Sequence, residues 1–107
     1  MKLQVAAVVR RSRRLRERYH ALEVQQLGAP WSAEEDALAF LTDAALVGRL
    51  TMAHAGRWPA KATALEHKLA ECVWWLAVLA QRMDVDLEAA LVTFLSKTER
   101  RVGARDD

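Results

Sequence analysis

The residues best suited to chemistry are two acids and the lysine near one of them. Asp43 has Phe40, Leu46, Val47 and Leu50 as its helical neighbours. A carboxylate in such apolar company calls for a partner. Glu71 carries Lys68 three residues before it, a spacing that puts both on one helix face and reads plainly as an intrahelical ion pair. His67 precedes Glu71 by four, so imidazole and carboxylate could share a transition metal. His54 could join them only if its loop folded back, and an ordinary surface pair is the plainer reading. Cys72 falls on an apolar seam, where a cysteine acts as a small hydrophobe rather than a nucleophile. His20 has no supporting cluster. No Ser-His-Asp arrangement is present, and Gly56-Arg57-Trp58-Pro59 is too short for a phosphate loop and lacks its Lys-Ser/Thr step. Four tryptophans, Trp31, Trp58, Trp74 and Trp75, read as packing residues, with nucleobase stacking by one of them as the sharper alternative.

Four helices must position these groups. The first is predicted over about Leu3 to Leu27, with Val8, Ser12, Leu15, Tyr19 and Leu22 as its seam. Arg10, Arg11, Arg13, Arg14, Arg16 and Arg18 flank that seam and are expected to be solvated. Gly28-Ala29-Pro30 stops the helix. Ser32-x-x-Glu35 is a capping box that opens the second helix, predicted to last to about His54. Its small and apolar face is Ala37, Leu38, Leu41, Ala44, Ala45 and Gly48. The third helix is predicted from about Ala60 to Arg82, with a strict four-three seam at Leu65, Leu69, Cys72, Leu76, Leu79 and Met83. Trp74, Trp75 and Val78 give it a second apolar flank, as expected of a helix central in a bundle or at a subunit interface. Asp86 caps a fourth helix, Leu87 to about Val102, with Leu91, Phe94 and Leu95 inward. Residues 103–107 are expected to fray.

The 107 residues therefore make one all-α domain spanning 1–107. The apolar fraction of 52% argues against disorder, and a chain this short often gains stability by self-association. The lone cysteine suits a reducing, cytoplasmic setting. No apolar run is long enough to span a membrane, and the apolar stretch before the arginines is too short for a secretory signal. The arginine run could contact phosphates of a nucleic acid. Glu17 and Glu23 interrupt its charge and no recognition helix follows, so a solvated face is the better reading.

The order of features resembles the MazG-like, all-α nucleoside triphosphate pyrophosphohydrolase superfamily. The likeness runs through Arg16-Glu17-Arg18-Tyr19, Pro30-Trp31-Ser32 and Leu69-Ala70-Glu71-Cys72-Val73-Trp74. It continues in Val85-Asp86-Leu87-Glu88-Ala89-Ala90-Leu91 and in Lys97-Thr98-Glu99-Arg100-Arg101. The resemblance implies a four-helix bundle completed by a homodimer and a Mg²⁺ held by carboxylates from two helices. It puts one acidic set on Thr42-Asp43-Ala44-Ala45-Leu46 and the other on Lys68-Leu69-Ala70-Glu71. Only Asp43 and Glu71 are acidic, so these are the implied metal ligands, while Leu46 and Lys68 replace ligands outright. An asparagine usual near the end of the family's fourth helix falls on Thr98. The resemblance makes Trp31 the candidate to stack on a nucleobase and Lys68 and Lys97 the candidates to contact phosphates.

An active member would be a hydrolase that splits a nucleoside triphosphate between the α and β phosphates, giving the monophosphate and pyrophosphate. Mg²⁺ takes octahedral oxygen coordination from one or two carboxylates, phosphates and water, and the reaction needs an activated water and neutralised pyrophosphate charge. With half the carboxylates gone, Lys68 either serves a phosphate or pairs with Asp43 or Glu71 and closes the site. The expectation is a MazG-like pyrophosphohydrolase with weakened or lost catalysis. The alternatives are a non-catalytic helical interaction or nucleotide-sensing module and, third, a basic nucleic-acid binder.

Overall fold

The structure, a computed structural model, describes residues 2–59 and 64–103. It is all-helical: α1 Val5–Leu27, α2 Ala33–His54, α3 Leu65–Arg82 and α4 Leu87–Val102, with no strand among the described residues. Each boundary follows from local chemistry. Gly28 ends α1 at φ 86°, donating its N–H to the Val24 carbonyl at 2.9 Å, a left-handed cap that glycine adopts without a Cβ penalty. Ser32 and Glu35 form the anticipated capping box: Glu35 N–H donates to Ser32 Oγ at 3.1 Å and Ser32 N–H to Glu35 Oε1 at 2.9 Å. Asp86 caps α4 by accepting from Ala89 N–H at 3.0 Å. The helix predicted from Leu3 begins at Val5. The first turn expected before Leu65 lies, over residues 60–63, outside the described residues, as does the tail from 104 on.

Helix α3 is central. Both α1 and α2 pack along it, α4 touches only α1 and α3 and does so lightly, and α1 and α2 share no backbone packing. The buried apolar residues are Trp75, Ala77, Val78 and Ala80, all on α3. The flank containing Trp75 and Val78 thus faces inward. The seam expected to be the main one looks largely outward, with Leu69, Leu76 and Met83 exposed.

Three expectations about faces are corrected in the same sense. On α1 the innermost residues are Ser12 and Arg16, while Leu15, Tyr19 and Leu22 are about half exposed. Arg16, expected in solvent, is 3% exposed. On α2 the fully buried residue is Asp36 and the inward ridge continues through Ala39, Phe40, Asp43, Val47 and Leu50. Leu38 and Leu41, on the face predicted to pack, are exposed. On α4 nothing is buried, and Leu91, Phe94 and Leu95 are not inward. On α1 and α2 the inward positions are taken by charged groups: Arg16 and Asp36 are buried and paired with each other, and once out of water each requires the other.

The surface is correspondingly large. The chain exposes 8450 Å², where a monomer of its 12.1 kDa mass would expose roughly 6,000 Å². Its radius of gyration is 16.6 Å, against about 13 Å for a well-packed domain of this length.

Candidate functional site

Two ionic clusters line the seams of α3, and one tryptophan joins them. The first cluster is at the α2–α3 contact. Lys68 Nζ donates to Asp43 Oδ1 at 3.2 Å and to Glu71 Oε1 at 2.8 Å. Trp75 Nε1–H donates to the other Asp43 oxygen, Oδ2, at 2.9 Å. Asp43 lies on the inward ridge of α2, two turns after Asp36, and so faces the turn of α3 that carries Lys68 and Glu71. Lys68 lies three residues ahead of Glu71, so a single ammonium reaches both acids. Its charge is held firmly: the hydrogen bond to Glu71 raises the Lys68 pKa above its ordinary value, partial burial opposes this, and the bond to Asp43 adds to the rise.

A divalent ion between Asp43 and Glu71 would have to displace that ammonium. Mg²⁺ asks for near-octahedral oxygen donors, and here one of the two carboxylates already spends its second oxygen on an indole N–H. Among the described residues no group of three or more His, Cys, Asp or Glu side chains is placed to hold a metal. His67 Nε2 stands 3.8 Å from Glu71 Oε1 but is largely exposed. The donor set as it stands does not fit a divalent cation; it fits the ammonium it holds. Burial pushes the Cys72 thiol up, with nearby Asp43 adding to the rise, which disfavours the thiolate needed by a nucleophile.

The second cluster joins α1, α2 and the C-terminal end of α3. Arg16 Nη2 donates to Asp36 Oδ1 at 2.7 Å, and Arg16 Nη1 to Glu23 Oε2 at 2.7 Å. Arg82 Nη1 donates to Asp36 Oδ2 at 2.8 Å and to the Trp31 carbonyl at 2.9 Å. Glu23 Oε1 also accepts the Trp31 N–H at 2.7 Å. Burial alone would raise the Glu23 carboxyl, but the bonds from Arg16 and Trp31 N–H outweigh it and hold its pKa below the ordinary range. The Arg16 guanidinium lies 5.7 Å from the Trp31 ring and 5.5 Å from that of Trp75, within cation–π range. The two indoles lie nearly parallel with centroids 6.5 Å apart.

The structure thus brings Asp43, Glu71 and Lys68 together. Trp31 sits in the neighbouring cluster, with its ring against Trp75 and Arg16 and its backbone clamped at both N–H and carbonyl. Lys97 stands exposed on α4 and makes no ion pair among the described residues. Sequence reasoning missed Arg16, Glu23, Asp36 and Arg82. One signal was present: Arg16 and Glu23 are seven apart on the same face as Ser12, a polar ridge too narrow to be a solvated surface. Asp36 was hidden by its place in the first turn of α2, where an acid is already explained by the helix dipole.

No protein-family model, curated protein or solved structure matches this chain. Its function must be read from the geometry. No helix among the described residues is long and apolar enough to cross a membrane.

Proposed function

We propose that this chain is a MazG-like protein whose pyrophosphohydrolase catalysis is lost, and that it serves as a self-associating helical module. The observation that carries the reading is the bridge from Lys68 Nζ to Asp43 Oδ1 and Glu71 Oε1. One positive charge belonging to the protein stands between the two carboxylates that would otherwise draw a cation. A tethered ammonium cannot polarise a water toward attack as a divalent ion does, and it offers no open coordination position to a phosphate. The cost of ordering the lysine is met once, at folding, so no soluble cation is needed to hold the two acids together.

Self-association is supported by the apolar residues left outside. Leu69, Leu76 and Met83 on α3, one heptad apart, and Leu38 and Leu41 on α2, three apart, are exposed, each set on one helix face. The excess exposed surface, roughly 2,400 Å² over a monomer of this mass, is of the size obligate dimers bury. A second copy of the chain is the partner this surface fits.

The test is a pyrophosphate-release assay over a panel of ribo- and deoxyribonucleoside triphosphates with Mg²⁺ and with Mn²⁺, on the native protein and on Glu71→Gln. Silence in both is expected. Turnover in the native protein that disappears in Glu71→Gln would overturn the reading.

A further inference from the structure

A cavity of about 330 Å³ opens between α1 and α3, beside Arg16 and Arg82. Its walls are Arg13, Arg16, Glu17 and His20 from α1 and Gln81 and Arg82 from α3. Neither Asp36 nor Glu23 lines it. Arg16 gives all but one of its N–H donors to its two carboxylates, but Arg82 commits only Nη1 to hydrogen bonds among the described residues. Its Nε and Nη2 therefore have donor capacity left. Arg13 pairs only with Glu17, at 3.4 Å and with both side chains more than half exposed, a contact of little strength in water. The Gln81 side chain is exposed and supplies an amide.

His20 is the unexplained member. Its Nε2 is buried with no hydrogen-bond partner among the described residues. Such an orphan costs free energy in the folded state. Burial and the neighbouring Arg16 and Arg82 charges press its pKa below the ordinary value. The ring meets the cavity through its other atoms, and an anion entering beside Arg13 and Arg82 would bring a negative charge close to the imidazole and favour its protonated form.

We propose that this cavity is an oxyanion site, built by Arg13, Gln81 and Arg82 beside the His20 ring to take a phosphate group. The chemistry matches: a guanidinium presents paired N–H donors in a fork that suits a tetrahedral oxyanion, and a neutral amide adds a further donor. The volume admits a phosphate or a phosphomonoester head with its first atoms. Glu17 is the opposing charge, and its solvated pair with Arg13 opens to release that guanidinium. The proposal is independent of the Lys68 bridge, since none of its residues belongs to that cluster.

The experiment is a histidine side-chain NMR titration of the full chain with inorganic phosphate and with adenosine monophosphate, at constant ionic strength against a chloride control. The chain has three histidines, His20, His54 and His67, so the His20 signal can be assigned by a His20→Gln variant. A saturable shift of His20 with phosphate, absent with chloride, is expected. Gln81→Glu places an acid in the wall with little change of shape and should weaken phosphate about tenfold or more. Arg13→Gln should weaken it too, while Lys68→Met leaves it unchanged. Tighter binding of the nucleotide than of phosphate identifies a phosphomonoester as the ligand; equal binding identifies the free ion. The proposal is overturned if His20 does not respond in the native protein, or if Gln81→Glu binds phosphate as well as the native chain does.

Discussion

Replacing Lys68 by methionine keeps the side-chain stem and deletes the ammonium. Asp43 Oδ1 and Glu71 Oε1 lie 3.2 and 2.8 Å from Nζ, so the two oxygens are no more than about 6 Å apart. Two like charges at that distance repel by about 3 kcal/mol at an effective dielectric constant near 20. All three side chains keep some contact with solvent, and screening reduces the loss to about 1–2 kcal/mol. For a domain of this size that lowers Tm by roughly 5–15 °C. The variant should also acquire a response to divalent ions, which the native protein is expected not to show. Mn²⁺ at ten times its dissociation constant restores about 1.4 kcal/mol. The assay is thermal unfolding by circular dichroism, with and without millimolar Mn²⁺ or Mg²⁺, for both proteins. A Lys68→Met variant as stable as the native chain would refute the reasoning. So would a native protein whose Tm rises with divalent ions as much as the variant's.

Arg16→Met leaves Glu23 without its guanidinium and Asp36 with that of Arg82 alone, and should cost about 3–5 kcal/mol; with so small a core, chemical denaturation should find it largely unfolded in buffer. Glu23 has a folded-state pKa below its unfolded one, so its contribution is fully present above about pH 4.5 and is lost as pH falls through the folded value. His20 is also depressed, so stability should already begin to fall as pH drops below about 6.5, where the unfolded imidazole binds its proton first. A series of denaturant melts from pH 8 to pH 3 should show both losses, and Glu23→Gln should flatten the lower one. Sedimentation equilibrium should give a mass at least twice that of the single chain, reduced by Leu76→Glu; a native protein that sediments at 12.1 kDa near 100 µM would contradict self-association. Ser32→Ala removes an N-cap acceptor and should cost about 1 kcal/mol, read as a fall in the denaturation midpoint.

The helices and their joints were legible because their signals are local. Gly28, the Ser32–Glu35 box and Asp86 each act within four residues, and all four C-terminal ends fall where the sequence places them. The inward faces were not legible. Periodicity finds an apolar stripe but cannot say whether it meets the chain's own core or another molecule, and α3 carries two such stripes. The seam through Leu69, Leu76 and Met83 is the more regular in sequence, yet the flank through Trp75 and Val78 is the one that packs. What decides between them is a long-range pairing, Arg16 with Asp36, twenty residues apart and on different helices. The Lys68–Glu71 pair was visible as a spacing of three, and the apolar neighbours of Asp43 showed that it needed a partner. That Lys68 is this partner depends on the rotation of α2 against α3, which no local pattern encodes. Arg82 was hidden for a further reason: a basic residue in the last turn of a helix is already explained by the dipole.

The claim beneath this account is that the protein's own ammonium fills the seat between Asp43 and Glu71. Binding of Mn²⁺, followed by electron paramagnetic resonance of the free ion, tests it most directly. The native chain should leave millimolar Mn²⁺ free, and Lys68→Met should bind one ion per chain through Asp43 and Glu71. Stoichiometric binding by the native chain, abolished in Glu71→Gln, would contradict it.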